Sequence, residues 1–487
     1  MLKLKELRQE MERPAPVKLL MNIGCLLDVP TGFFIKGAKG ENILIGGLGA
    51  ITGILGRGNT FKSTFMHFMM LTVMNRIFST SETSASTYDT EMNIHESALK
   101  RFLERFPYLN KYDLFHEEIW NITDKTIYSG NKWFEGVKDF LNLKTKSKNK
   151  LQVTCPFYDR DGKTPMEVVI PTFNEVDSFS EWTTDDVLKM QDDNEIGESG
   201  GNPIHMRIGL AKTRFLMEVP ALYGAINHFL LLAAHMDDFV QMQNGPMSGP
   251  PTKKLQHMKQ NEKAKGVTGK FFFLMNNCWH CKSATVLSND GTKGQEYPIS
   301  ESETYAGDKD LNMIEVVQLR SKAGQSGYSL NIIVSQTEGI LPTLTEFHHI
   351  KKANYYGMTG SNRSYSLDIY PDVSLSRTTV RSKIDNDPKL QRAINITSEL
   401  LQMEKFQRRY RDLFCSPKEL YDDLKNLGYD WDIILQTRGW WTFNDYDHPI
   451  PRLSILDLLE MRKGSYHPYW MNPDKTVKKQ YTFTLEK

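Results

Sequence analysis

The segment Gly53-Ile-Leu-Gly56-Arg57-Gly58-Asn59-Thr60-Phe61-Lys62-Ser63-Thr64 decides how this chain is read. An apolar run from Gly49 to Leu55 predicts a buried strand that breaks at Gly56, and the pattern from Phe65 to Phe78 predicts a helix behind it. Strand, glycine-bearing turn, Lys-Ser and helix is the layout of a phosphate-binding loop. Backbone N–H groups from Gly56 to Thr64 would face the phosphates, Lys62 would reach their outer oxygens, and Ser63 would offer a hydroxyl to Mg²⁺. One residue breaks the usual spacing: Phe61 stands where such loops carry their second glycine.

The surrounding chain is 487 residues long, which argues for two or three structural units. Hydrophobic residues at 40 % and charged residues at 24 % are those of a globular protein. A net charge of +1 gives no global nucleic-acid signal, so any basic surface must be local. Cys25, Cys155, Cys278, Cys281 and Cys415 are scattered and odd in number, which fits a reducing compartment better than a disulfide framework. Cys278-Trp-His280-Cys281 invites a zinc reading, but no second ligand pair stands at suitable spacing, and buried strand residues are the simpler expectation. Met1 to Arg13 reads as an amphipathic helix ended by Pro14 and Pro16, without a signal-peptide pattern. The run Ile43 to Leu55 is broken by glycines and too short to span a bilayer. A cytoplasmic protein with no membrane partner is expected.

Beyond the loop, Ser84 to Tyr88 reads as a strand ending at Asp89-Thr-Glu91, followed by a helix from about Ile94 to Phe106. Leu151 to Pro171 reads as an inserted hairpin around Asp159–Gly162. Thr172 to Val176 reads as a strand with Asp177 at its tip. An acid there, beside the phosphate loop, is placed to orient a Mg²⁺ water shell. Residues 179–202 are polar and acidic, Arg207 to Tyr223 reads as a helix, and His228 to His235 as a second buried strand. His235 at that tip would either sense the terminal phosphate or serve as a hydrogen-bonded strand end. Residues 239–270 then carry Lys253, Lys254, Lys259, Lys263, Lys265 and Lys270 against the single acid Glu262. That stretch reads as a loop able to neutralise phosphates, or as a solvated surface loop. Strands are expected over Lys270–Cys278, Leu311–Leu319 and Tyr328–Ser335, the last two as an antiparallel sheet edge bearing Arg320-Ser-Lys322. Residues 388–427 look helical, with a cap at Ser416-Pro417. Alternating strands and helices predict an α/β fold with a mostly parallel sheet. Three regions follow: a helix and arm over 1–48, a core over 49–385, and a small, mainly helical region over 386–487.

This order of features resembles the RecA-type recombinases, and specifically the UvsX-type recombinases of bacteriophages, over roughly residues 17–345. Those proteins also carry Phe before the loop lysine, so Phe61-Lys62-Ser63 fits the subfamily. The resemblance implies a RecA-like ATPase core that takes ATP and Mg²⁺, with Glu91 and Lys62 as catalytic residues, Ser63 and Asp177 on the metal, and His235 as sensor. It further implies that Arg320 and Lys322 reach the nucleotide of a neighbouring subunit. Residues near 183–206, including Gly197 and the segment His205-Met with Gly209-Leu-Ala211, would form the first DNA-binding loop and its helix, and 239–270 the second. The hairpin at 151–171 and an insertion near 200–204 depart from the pattern, and nothing beyond about residue 385 is covered. The implied activity is DNA-stimulated ATP hydrolysis in a filament on single-stranded DNA. Strand exchange with double-stranded DNA would follow, with mediator and single-strand-binding proteins as further partners. A ring-forming replicative helicase of the DnaB type shares such a core, but this chain has only a short arm before the loop. An ATP-gated clock or assembly protein is a third reading, against which the lysine-rich stretch argues.

Overall fold

A computed structural model describes residues 19–159, 162–193, 201–238, 255–259, 261–300, 307–361, 363–445, 450–481 and 483. The expected amino-terminal helix, Gly197, Lys253 and Lys254 lie outside them. Ten strands make the central sheet: β1 (Ile51–Gly56), β2 (Ala85–Asp89), β3 (Trp120–Asp124), β4 (Thr172–Asp177), β5 (His228–Asp238), β6 (Glu262–Ala264), β7 (Asn277–Val286), β8 (Leu311–Ser321), β9 (Ser329–Ser335) and β10 (Gly339–Ile340). They lie in the order β10-β9-β8-β7-β1-β5-β4-β2-β3, with β6 paired to the outer end of β5. From β7 to β3 every neighbouring pair is parallel. β8, β9 and β10 are antiparallel additions at one edge, as the sequence predicts. The fold is therefore α/β, with a large, mostly parallel sheet flanked by helices.

Both faces of that sheet are covered, which explains why β5 is an unbroken apolar run. Phe229, Leu231 and Ala233 enter the core on one face, while Leu230, Leu232 and Ala234 enter the core on the other. The first face packs against α1 (Lys62–Phe78), whose Phe65, Met66, Met69, Met70, Val73 and Met74 are all buried. The second face packs under α3 (Gly130–Lys146) and α5 (Gly201–Gly224), through Trp133, Phe134 and Phe215. Between these in sequence lie α2 (Glu96–Leu103) and α4 (Asp185–Asp192). Cys278 and Cys281 on β7 are buried on opposite faces, so their side chains do not converge.

Several expectations fail locally, and β5 does not close at His235 but runs on to Asp238. Lys270–Cys278 is not one strand: residues Gly269–Leu274 form the short helix α6, and β7 begins only at Asn277. Three successive phenylalanines hide the helical pattern, in which Phe271 and Phe272 are buried and Phe273 is exposed. Nor is 239–270 all loop, because Glu262–Ala264 extends β5 as a paired strand. Likewise α4 and the start of α5 occupy most of the described part of 183–206. The predicted hairpin is present as Gln152–Tyr158 paired with Pro165–Val169.

A second hydrophobic core gathers α7 (Pro342–Lys352), α8 (Val380–Asn386), α9 (Pro388–Phe406) and α10 (Pro417–Asn426). It runs from Val29 to Met471 and so joins the amino-terminal arm to the carboxyl-terminal region. Ser416 and Glu419 form the capping box that opens α10. The segment Thr442–Asn444 reaches back to the carboxyl end of α1: Thr442 donates to the Arg76 carbonyl at 2.9 Å, and Thr80 donates to the Phe443 carbonyl at 2.6 Å. The Arg76 carbonyl lies in the last turn of α1, where it also accepts the Ser79 N–H at 3.3 Å. Among the described residues, no helix is long and apolar enough to cross a membrane.

Candidate nucleotide site

β1 ends at Gly56 and α1 begins at Lys62, so the quoted turn lies at the carboxyl edge of the sheet with a helix amino terminus aimed over it. Gly56 is sterically required, since a Cβ there would stand 2.5 Å from Thr60 Oγ1. The Thr60 hydroxyl in turn donates to the Arg57 carbonyl at 2.9 Å, closing the turn. Phe61 adopts φ 57° and ψ 28°, and Asn59 also has positive φ. This is the left-handed conformation that glycine takes freely and a bulky residue adopts at a cost of about 1–2 kcal/mol. The Phe61 ring packs against the core on the α1 face, which offsets part of that cost. Phe61 thus does the backbone work of the missing glycine.

Strand register assembles the remaining groups. Gly56 is level with His235 on β5 and Cys281 on β7, while Asp89 is level with Asp177. Lys62 is buried at the start of α1, close enough to act electrostatically on both Glu91 and Asp177. Burial pushes the Asp177 carboxyl above the usual range, against the opposing pull of Lys62, Ser63 and His67. Its buried Oδ1 has no hydrogen-bond partner among the described residues. An orphaned carboxylate oxygen beside the Ser63 hydroxyl fits a hard cation such as Mg²⁺, which uses few protein ligands and keeps the rest as water or phosphate.

Glu91 sits beyond the tip of β2, where Asp89 shapes the turn by accepting the backbone N–H groups of Glu91 at 2.9 Å, Met92 at 2.7 Å and Ile94 at 2.9 Å. His235 Nε2 lies 2.6 Å from Glu91 Oε1. A carboxylate can only accept, so Nε2 carries the proton. This contact is the main reason the Glu91 pKa falls to about 2, with Lys62 contributing, so the carboxylate is ionised throughout the neutral range. His235 also leads into the β5–β6 hairpin: its carbonyl accepts Lys265 N–H at 2.8 Å, and Asp238 at the end of β5 pairs with Arg57 of the turn at 2.5 Å.

The structure therefore brings together Gly56–Thr64, Glu91, Asp177 and His235, and sets the other predicted residues apart. Lys265 lies beside His235 and Lys263 on β6 opposite Asp237, Lys259 stands three residues before β6, and Lys270 is exposed on α6. Arg320 is level with Cys278, which is level with Gly53. That puts it about 10 Å below Gly56 along the strands and two strands across. Lys322 lies lower still, its amide donating to the Asn276 carbonyl at 3.0 Å. The pair occupies the amino edge of the sheet, away from the Gly56–Thr64 turn.

Sequence reading missed Asp89, although it stands two residues from Glu91. It also missed Lys212, whose buried ammonium donates to the carbonyls of Ser180 at 2.6 Å and Gly266 at 2.7 Å, holding α5 to the base of the hairpin. Desolvation pulls the Lys212 pKa down to about 8. No protein-family model matches the chain, and no curated protein matches it.

Proposed function

We propose that the chain is an ATP-dependent recombination protein with a RecA-like core, closest in kind to the UvsX-type recombinases, that assembles on single-stranded DNA and exchanges strands with a duplex. One observation carries this reading: the Glu91–His235 contact joins a candidate water-activating carboxylate to the outer part of β5, the strand paired with the lysine-bearing β6. A ligand on one side of that contact changes what the other side can hold.

In this reading the turn and Lys62 bind the phosphates of ATP, and Ser63 with Asp177 hold Mg²⁺, which supplies charge neutralisation when bound. Glu91, ionised and oriented by His235, accepts a proton from the attacking water. Lys259, Lys263 and Lys265 offer positive charge to the DNA backbone. Arg320 and Lys322, at the far edge of the sheet, complete the site of a neighbouring copy, which makes turnover depend on assembly. The protein would work in the cytoplasm of its cell, or of a host cell.

The test is purified protein with ATP, Mg²⁺ and circular single-stranded DNA, imaged by negative stain and assayed for joint molecules. Helical filaments with strand exchange are expected; closed rings with directional unwinding would sink the proposal in favour of a DnaB-type helicase. Mixing Glu91→Gln with Arg320→Ala/Lys322→Ala protein should restore part of the turnover that each lacks alone. No recovery would remove the shared-site element.

A further inference from the structure

β4 is unusually polar for a central strand, carrying Asn174 and Glu175 between Phe173 and Val176. Glu175 is fully buried, yet it is not idle. Its Oε2 lies 2.8 Å from His67 Nδ1 and accepts the Thr87 hydroxyl at 2.9 Å. Thr87 in turn accepts Trp120 Nε1–H at 2.8 Å. One hydrogen-bonded line thus crosses α1, β4, β2 and β3.

The placement of this line matters more than its existence. Residues two apart on a strand share a face, so Glu175 and Asp177 both look toward α1, and Thr87 and Asp89 beside them do the same. Residues four apart on a helix also share a face, so His67 stands one turn behind Ser63. Four helical residues rise about 6 Å and two strand residues about 6.6 Å. The two spacings match, and the result is a ladder with two rungs: Ser63 beside Asp177 and Asp89 in front, His67 bonded to Glu175 and Thr87 behind.

We infer that His67 and Glu175 are positioning residues: the rear rung fixes the register of α1 against β4, and thereby sets the separation of Lys62 and Ser63 from Asp177. This rests on the nucleotide-site reading and extends it to residues that would touch neither nucleotide nor metal. The role is geometric, because a buried ionic pair as such adds little to stability. Replacing one with apolar side chains of similar size is often neutral or stabilising. A helix sliding on an all-apolar strand would keep its packing but lose the register.

That distinction gives the experiment. In full-length protein, His67→Leu/Glu175→Met fills the same space without the rung, and Glu175→Gln keeps an acceptor for both His67 and Thr87. The double variant should fold with a Tm near that of the wild type, need more Mg²⁺ for half-maximal turnover, and turn over ATP about tenfold or more slowly. Glu175→Gln should recover most of the rate. Amide exchange over Lys62–Met66 should quicken in the double variant alone, with or without nucleotide. Wild-type turnover together with unchanged exchange in the folded double variant overturns the inference; so does a Glu175→Gln protein as slow as the double variant. If the wild type neither binds nor hydrolyses ATP while exchange still responds to the rung, the register role stands and the ATPase reading falls.

Discussion

Helix α1 has acids at each end, and Glu91 at the amino end behaves oppositely to the acids at the carboxyl end, whereas Asp177 beside Ser63 is raised by burial as they are. At its amino end, Glu91 is paired with His235 and faces Lys62, and its pKa falls to about 2. Toward its carboxyl end, Asn75 and Arg76 line a cavity of about 590 Å³ with Asp28, Glu346 and Glu399. Burial pushes Glu346 up to about 8 and Glu399 to about 7, with the Glu399 carboxyl adding to the rise of Glu346 and the Asp28 carboxyl to that of Glu399. Asp28 is also raised by burial, although Arg76 stands 4.0 Å away and two backbone N–H groups donate to it. The difference separates an acid organised to stay charged from acids that folding has made hard to charge. Perturbation alone would flag both places as functional; what sets Glu91 apart is the histidine at 2.6 Å that holds its charged form.

The largest expected effect tests the first end. Glu91→Gln should lower ATP turnover by about 100-fold or more while leaving nucleotide binding and folding nearly intact. Retained hydrolysis in steady-state assays would move the catalytic role elsewhere. At the other end, Glu346→Gln should leave turnover alone and stabilise the fold on the order of 2 kcal/mol at pH 8, measured by denaturant unfolding. The sign follows from the raised pKa. Folded Glu346 keeps a proton that the unfolded chain releases near pH 4.5, so the wild type loses stability as pH rises from there through 8, and the glutamine does not. A gap between the two proteins that fails to widen with pH would show that this carboxyl is paired after all. Glu91 has the opposite sign. Its stabilisation is present above the ordinary carboxylate pKa and fades as pH falls toward 2, so the Glu91→Gln protein should lose less stability than wild type in that acid window. The smallest effect belongs to Phe61→Gly, in which relief of the left-handed strain offsets lost packing. Stability should change by less than about 1 kcal/mol and turnover by less than about twofold, in melts and rate assays on the same preparation.

Much of the front end was legible because it is local. Gly56, Lys62 and Ser63 lie within one strand–turn–helix, and the acids Glu91 and Asp177 lie at tips that apolar patterning locates to within a residue or two. A sequence separation of 144 hid the contact between Glu91 and His235, although the strands that position them were both identifiable. Glu175 stood out in the sequence as a polar residue in a central strand, but its partner His67 sits on a helix whose burial is nearly uniform, so no pattern singled it out. The rear end was illegible for a different reason. Asp28, Glu346 and Glu399 come from three distant segments that only the second core brings together. Three phenylalanines in a row concealed α6, because helix and strand periodicities give the same answer over so short a run.

The hydrogen bonds from Thr442–Asn444 to the end of α1 also bear on synthesis of the chain. They span 363 and 366 residues, so the last turn of the helix that carries Lys62 acquires these partners only after nearly the whole chain has been made. At ordinary ribosomal speeds that is roughly 20 to 70 s. For that interval the nascent protein holds the Gly56–Thr64 turn on a helix whose trailing end has not been tied down. A chain that ends before residue 442 would lack both of these hydrogen bonds, leaving the rear of the helix untied behind the Gly56–Thr64 turn.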